Sequence, residues 1–108
     1  MGGNNLPLRG GKNTLWEGGT RVPTFVYSHT LLEKPEIERN GLFHAVDWFP
    51  TFLEIAGAPS VPGIDGISQW RFLREGGSSA RTEFVYNIEP NSKGAIRVGD
   101  FKFIVGRP

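Results

Sequence analysis

The chain has 108 residues and not one cysteine. That absence excludes disulfides, thiolate metal sites and a cysteine nucleophile, and it leaves the redox compartment open. Long apolar runs are also missing: nothing approaches the roughly 20 residues of a bilayer-spanning helix. The opening MGGNNLPLRGG has no apolar segment of the kind that makes a secretory signal. It begins like a myristoylation site, but Leu6 stands where serine or threonine is required. No Asn-x-Ser/Thr sequon occurs. Charge of one sign is scarce, with a formal net charge of +1. The basic residues are scattered, without the stripe that marks a nucleic-acid footprint or the basic amphipathic face of a membrane-surface helix. Neither a nucleic acid nor a membrane is therefore expected as partner.

What is present is loop-rich and aromatic. The chain carries 15 glycines and 8 prolines, yet also three tryptophans, eight phenylalanines and two tyrosines. That aromatic content is too high for a disordered segment. The length suits one small domain, but the combination is more typical of a piece of a larger α/β or α+β enzyme.

Along the chain, VPTFVYSH (Val22 to His29) reads as a strand buried on both faces, because β-branched and aromatic residues follow one another without alternation. LLEKPEIERNG is a polar, exposed connector around Pro35. FHAVDWFPTFLEIAG is the strongest helix: Asp47 serves as N-cap, Pro50 is tolerated in the first turn, and Gly57 closes it. Phe49, Phe52, Leu53 and Ala56 share a face that Trp48 and Ile55 widen, so this helix is expected to be buried on most sides against a large neighbour. Ala58 to Gly66 is a loop by its proline and glycine content. SQWRFLREGG is a short helix or turn ended by Gly76 and Gly77. TEFVYNI and AIRVGDFKFIVG read as strands, with Gly99-Asp100 as a two-residue hairpin turn of type II′. The last residues follow directly on a strand, and both ends are expected to be internal to a longer protein.

The stretch with the most chemistry is RGGKNTLWEGGTRVP, Arg9 to Pro23. Lys12 behind two glycines is not a phosphate-binding P-loop, since Leu6 and Asn13 occupy the positions of its first glycine and its Ser/Thr. GGNN offers amide oxygens for a hard cation but no carboxylate nearby, and a solvated turn is the expectation. His29 and His44 have no nucleophile arranged around them and are read as structural. Glu17 and Arg21, four apart around Gly18-Gly19, are read as holding the loop by pairing with each other or with backbone. Lys12 reads equally as an anion contact or as a surface lysine.

The order of these pieces, GGNNLPLRGGKNTLWEGGTRVPTFVYS, HAVDWFPTFLEIAG, IDGISQWRFLREG, VYNIEP and AIRVGDFKFIVG, resembles the sulfatase family over nearly the whole chain. The particular resemblance is to its arylsulfatase B group, the N-acetylgalactosamine-4-sulfatase type. The resemblance implies an α/β, alkaline-phosphatase-like fold, with residues 1–77 ending the catalytic domain and 78–108 beginning a small antiparallel C-terminal subdomain. It implies that Lys12 contacts the substrate sulfate, and that Trp16, Glu17, Gly18, Gly19 and Arg21 hold that lysine. Family members use a formylglycine nucleophile, made from the first residue of C/S-x-P-x-R, and a divalent cation, here expected to be Ca²⁺. This chain's near-miss, Ser60-Val61-Pro62-Gly63-Ile64, ends in isoleucine where the motif has arginine. The metal ligands, nucleophile and catalytic histidines would all lie upstream of Met1, so no metal ligand is expected in this chain. Alone it is expected to be inactive as a sulfuric ester hydrolase. The parent would act on a sulfate ester, a sulfated glycan or aryl sulfate, in a lysosomal or secreted setting. Two alternatives stand beside this one: a non-catalytic truncated module that binds sulfated glycans, and a chain that does not fold alone.

Overall fold

The hairpin is the most regular part of the chain. The computed structural model describes residues 3–34 and 36–107; the Pro35 of the connector and the Met1 start fall outside them. Strand β2 (Lys93–Val98) and strand β3 (Phe101–Gly106) pair antiparallel in continuous register from Lys93↔Gly106 to Val98↔Phe101. Gly99 and Asp100 are left as the two-residue connection. Gly99 has φ +54 and Asp100 has no positive φ, the sign pattern of the expected II′ turn. Strand β1 (Glu83–Val85) adds antiparallel to β2, giving the order β1-β2-β3.

Because strand side chains alternate, this register sorts the sheet into two unlike faces. One carries Phe84, Lys93, Ala95, Arg97, Lys102 and Ile104, which are buried or half-buried. The other carries Val85, Ile96, Val98, Phe101, Phe103 and Val105, all exposed. The apolar face is thus the open one, and the face with three basic residues is the covered one.

The chain divides into two compact units, Met1–Thr24 with Glu83–Pro108, and Phe25–Thr82. The first joins the sheet to the glycine-rich opening, which includes one helical turn, α1 (Glu17–Thr20). Its buried hydrophobic residues, among those described, are Leu15 and Ala95.

The second unit is built round helix α2 (Trp48–Ile55), entered through a 3-10 turn at Ala45–Asp47, and helix α3 (Trp70–Glu75). Gly57 follows α2 with φ +67 and Gly76 caps α3 with φ +78, both as the sequence predicts. The expected role of Asp47 is corrected. His44 is the cap: its Nδ1 accepts from the Val46 amide at 3.3 Å, while Asp47 Oδ2 accepts from the His44 amide at 2.9 Å. This is a reciprocal capping box with Asp47 on its inner side.

Asp47 is turned inward because three further donors wait there. The Ile67 amide reaches Oδ1 at 2.9 Å, and Arg81 binds both oxygens, Nε to Oδ2 at 2.8 Å and Nη2 to Oδ1 at 2.5 Å. Arg81 Nη2 also donates to the Asp65 carbonyl at 2.8 Å. Asp47 is fully buried at 0% exposure. Burial pushes its carboxyl pKa up, but the Arg81 hydrogen bond and the Ile67 and His44 amides outweigh burial and hold it below the usual carboxylate range. Thr51 Oγ1 donates to the Asp47 carbonyl at 2.6 Å and accepts from the Gln69 amide at 3.0 Å.

Two further sequence expectations fail. Helix α2 is not buried on most sides: Phe49 and Phe52 are both more than half exposed, and its fully buried member is Thr51. The helix turns its hydroxyl and capping side toward α3 and keeps most of its apolar face outward, apart from Trp48, whose ring meets Phe43 at a tilt, 4.5 Å between centroids, and stacks on Phe52 at 5.4 Å. Val22 to His29 forms no strand either, with Phe25 90% and Tyr27 82% exposed. A strand apolar on both faces needs a ladder partner and two covering layers, and among the described residues none of these lies against it.

Candidate functional site

Lys12 stands at the corner of a turn. The Thr14 amide donates to the Gly11 carbonyl at 3.0 Å, closing a four-residue turn with Lys12 and Asn13 in its centre. Asn13 has φ +74 and Lys12 has no positive φ, the sign pattern of a type II turn, for which Asn is the best non-glycine third residue. The Thr14 hydroxyl repeats the closure, donating to the Gly11 carbonyl at 2.8 Å and accepting from its amide at 3.2 Å. The side chain at the corner is exposed.

The next residues lock that turn from behind. The Gly18 amide donates to the Arg9 carbonyl at 2.8 Å, so the first turn of α1 rests directly on residues 9–14. A Cβ on Gly18 would stand 2.8 Å from the Arg9 carbonyl oxygen, and one on Gly19 would stand 2.5 Å from that of Gly11. Both glycines are therefore required by close backbone approach. Trp16 precedes the helix with its ring under the Arg9 guanidinium, 3.9 Å from Cζ to centroid.

The expected pairing of Glu17 with Arg21 is corrected in part. The Arg21 amide does donate to the Glu17 carbonyl at 2.8 Å, but the Arg21 side chain is exposed and in no ion pair among the described residues. The Glu17 carboxylate instead turns to the sheet. Lys102 Nζ donates to Glu17 Oε1 at 3.0 Å, and Arg97 Nη1 lies 3.7 Å from Oε2. Lys102 also donates to Thr20 Oγ1 at 3.3 Å and sits over the Tyr86 ring at 3.9 Å. A second tie joins Lys93 Nζ to the Asn13 carbonyl at 3.1 Å, one residue after Lys12.

Lys93, Arg97 and Lys102 are absent from the site that the sequence predicts. A signal for the last two exists: once Gly99-Asp100 is read as a hairpin turn, Arg97 falls directly opposite Lys102, and two facing cations call for a carboxylate. Nothing in sequence distance points to Glu17 as that carboxylate.

The remaining candidates separate. Asn4 Oδ1 accepts from the Leu6 amide at 3.1 Å and Asn5 Nδ2 donates to the Gly10 carbonyl at 3.4 Å, so both amides serve the turn itself. His29 is exposed and His44 is the helix cap. Among the described residues no group of three or more His, Asp or Glu side chains converges as metal ligands do. These residues do not fit a divalent cation, and no step is derived through one.

Comparison with known proteins bears on this arrangement. The family model described as Sulfatase matches residues 1–58, which include the whole Lys12 loop. Arylsulfatase J of Mus musculus is 35% identical, over 99% of this chain and 21% of its own. A sulfatase of Formosa agariphila is 40% identical over 67% of this chain and 14% of its own. Steryl-sulfatase of Mus musculus is 38% identical over 81% and 14%. The chain therefore spans about a fifth or less of the length of these relatives. With one family model covering more than half of its residues, this chain belongs to the sulfatase family.

Proposed function

We propose that this chain is the late part of a sulfatase catalytic domain, residues 1–77, followed by the start of an antiparallel C-terminal subdomain, residues 78–108. The parent enzyme, with the alkaline-phosphatase-like fold and of arylsulfatase B type, hydrolyses sulfate esters, and Lys12 contacts the sulfate. The supporting observation is the Lys12 turn: an exposed ammonium at a corner closed by backbone and side-chain hydrogen bonds. Trp16, Glu17, Gly18, Gly19 and Arg21 belong to the segment that holds it. An ammonium is a compact point charge with three donors. Placed against the sulfate oxygens, it offsets their negative charge as the S–O bond breaks. Formylglycine and Ca²⁺ belong to the parent in this reading, on residues upstream of these. The lysosomal or secreted setting belongs to the same proposal; no helix among the described residues is long and apolar enough to cross a membrane.

The test begins with the native species, identified by mass spectrometry through the peptide TEFVYNIEPNSK. A species several times larger than 11.9 kDa is expected. Its hydrolysis of a chromogenic aryl sulfate should fall about 100-fold or more in kcat/KM on Lys12→Ala, the scale of losing one preorganised charge contact. The isolated 108-residue chain should give no turnover. Metal-dependent turnover by that isolated chain, or an unchanged kcat/KM in the variant, would overturn the reading. Selective binding of sulfated over unsulfated oligosaccharides by a native species near 11.9 kDa would establish the non-catalytic module instead.

A further inference from the structure

We infer that Lys102 is a positioning residue for Lys12, acting through Glu17, with Lys93 as a second fastening point through Asn13. The inference rests on the reading of Lys12 as the sulfate contact.

Three observations carry it. First, Lys102 is fully engaged. Its side chain is 11% exposed, and its ammonium meets the Glu17 carboxylate, the Thr20 hydroxyl and the Tyr86 ring. An ammonium with three donors and three partners has little freedom to turn away. Second, Glu17 is coupled to the Lys12 turn through the backbone. It begins the helical turn whose Gly18 amide is bonded to Arg9 and whose glycines admit no side chain, so a displacement of Glu17 carries the backbone under the Lys12 turn with it. Third, the fastening is electrostatically coupled. Arg97 and Lys102 are cross-strand partners in β2 and β3, and like charges directly opposite destabilise a sheet. The two oxygens of Glu17 divide between them. Removing either Glu17 or Lys102 unbalances the set, whereas Lys93 reaches Asn13 independently, by a single bond to the carbonyl at 3.1 Å.

The consequence is that the antiparallel sheet is part of the sulfate site's support, although none of its residues touches the substrate in this reading. With its ammonium engaged by Glu17, Thr20 and Tyr86, Lys102 changes the reaction by placing Lys12.

The experiment is an epistasis test in the full-length enzyme that carries this segment, using a chromogenic aryl sulfate. Lys102→Met and Glu17→Gln are each made with Lys12 intact and in the Lys12→Ala background. With Lys12 present, each should lower kcat/KM by about 10- to 100-fold, the effect of displacing a reacting group by about 1 Å. In the Lys12→Ala background the same substitutions should change it less than about twofold. Lys102→Arg, which keeps the charge, should restore most of the loss. A variant that merely folds less well lowers both backgrounds by the same factor, so misfolding cannot imitate the expected pattern. Equal losses in both backgrounds, or no loss with Lys12 intact, would overturn the positioning role while leaving the Lys12 reading standing. An unchanged kcat/KM for Lys12→Ala alone would remove the reading on which both rest.

Discussion

Gly18 shows how a single missing Cβ can decide the shape of a site. Its amide bonds to the Arg9 carbonyl, and the space where a side chain would begin is filled by backbone. Backbone cannot swing aside as the end of a flexible side chain can. Gly18→Ala should therefore destabilise the chain by about 1–3 kcal/mol, as overpacking does, with the loss concentrated in the opening loop. Amide hydrogen exchange would read this directly: the amide at position 18 should exchange markedly faster, while amides of α2 keep their protection. At this scale the sequence was informative about what and silent about where. The run Arg9 to Pro23 reads as a held loop, and Lys12 as an anion contact or a surface lysine. The partner of Glu17 did not, because a carboxylate four residues from an arginine suggests a local pair, and the cations it meets lie 80 and more residues away.

Helix α2 illustrates the same division one scale up. Its existence, its closure by Gly57 and its place after a polar connector were all legible, because capping and period-3.6 patterning are local properties. Its environment was not. Asp before an apolar run reads as a cap; the distant Arg81 and the Ile67 amide instead make Asp47 the centre of a buried polar cluster. Removing one partner of such a pair leaves the other charge buried without its counter-charge. Asp47→Asn should accordingly cost about 3–5 kcal/mol, measured by denaturant unfolding. The pH dependence has a definite sign. The folded carboxyl titrates below its unfolded value, near 3.9, so its stabilisation is complete above that value and is lost as pH falls through the lowered folded pKa. Wild-type acid unfolding should steepen there, and the Asn variant should lack that component.

Across the molecule, a large share of the apolar surface is open. The second unit buries Phe72 together with Asp47, Thr51 and Gln69, while Phe25, Tyr27, Phe101 and Phe103 are exposed. Exposed apolar faces of this kind favour association. The isolated chain is expected to self-associate and to enhance the fluorescence of an apolar-surface dye. The double substitution Phe101→Lys with Phe103→Lys should reduce both, as followed by sedimentation velocity and dye titration. A wild-type chain that stays monomeric without dye binding would contradict this expectation. Val22 to His29 forms no strand for a related reason: patterning reports which residues want burial, but a ladder also needs a neighbour, and sequence pattern cannot supply one. The hairpin succeeded because its two strands and its turn are contiguous and need no third party for their register.

The pairing of the chain's opening with its final hairpin has a consequence for synthesis. A polypeptide leaves the ribosome from its N-terminus, so the Lys12 loop emerges long before Lys93, Arg97 and Lys102 have been added. Its hydrogen-bonded turn can close at once, but its fastening to the sheet waits for contacts separated by 80 and 85 residues. Contacts of such sequence separation form late and slowly. The lysine that matters most to the proposed chemistry is thus among the last parts of this segment to be secured, and a chain cut short before β3 keeps the closed turn but lacks Lys102, the donor to Glu17.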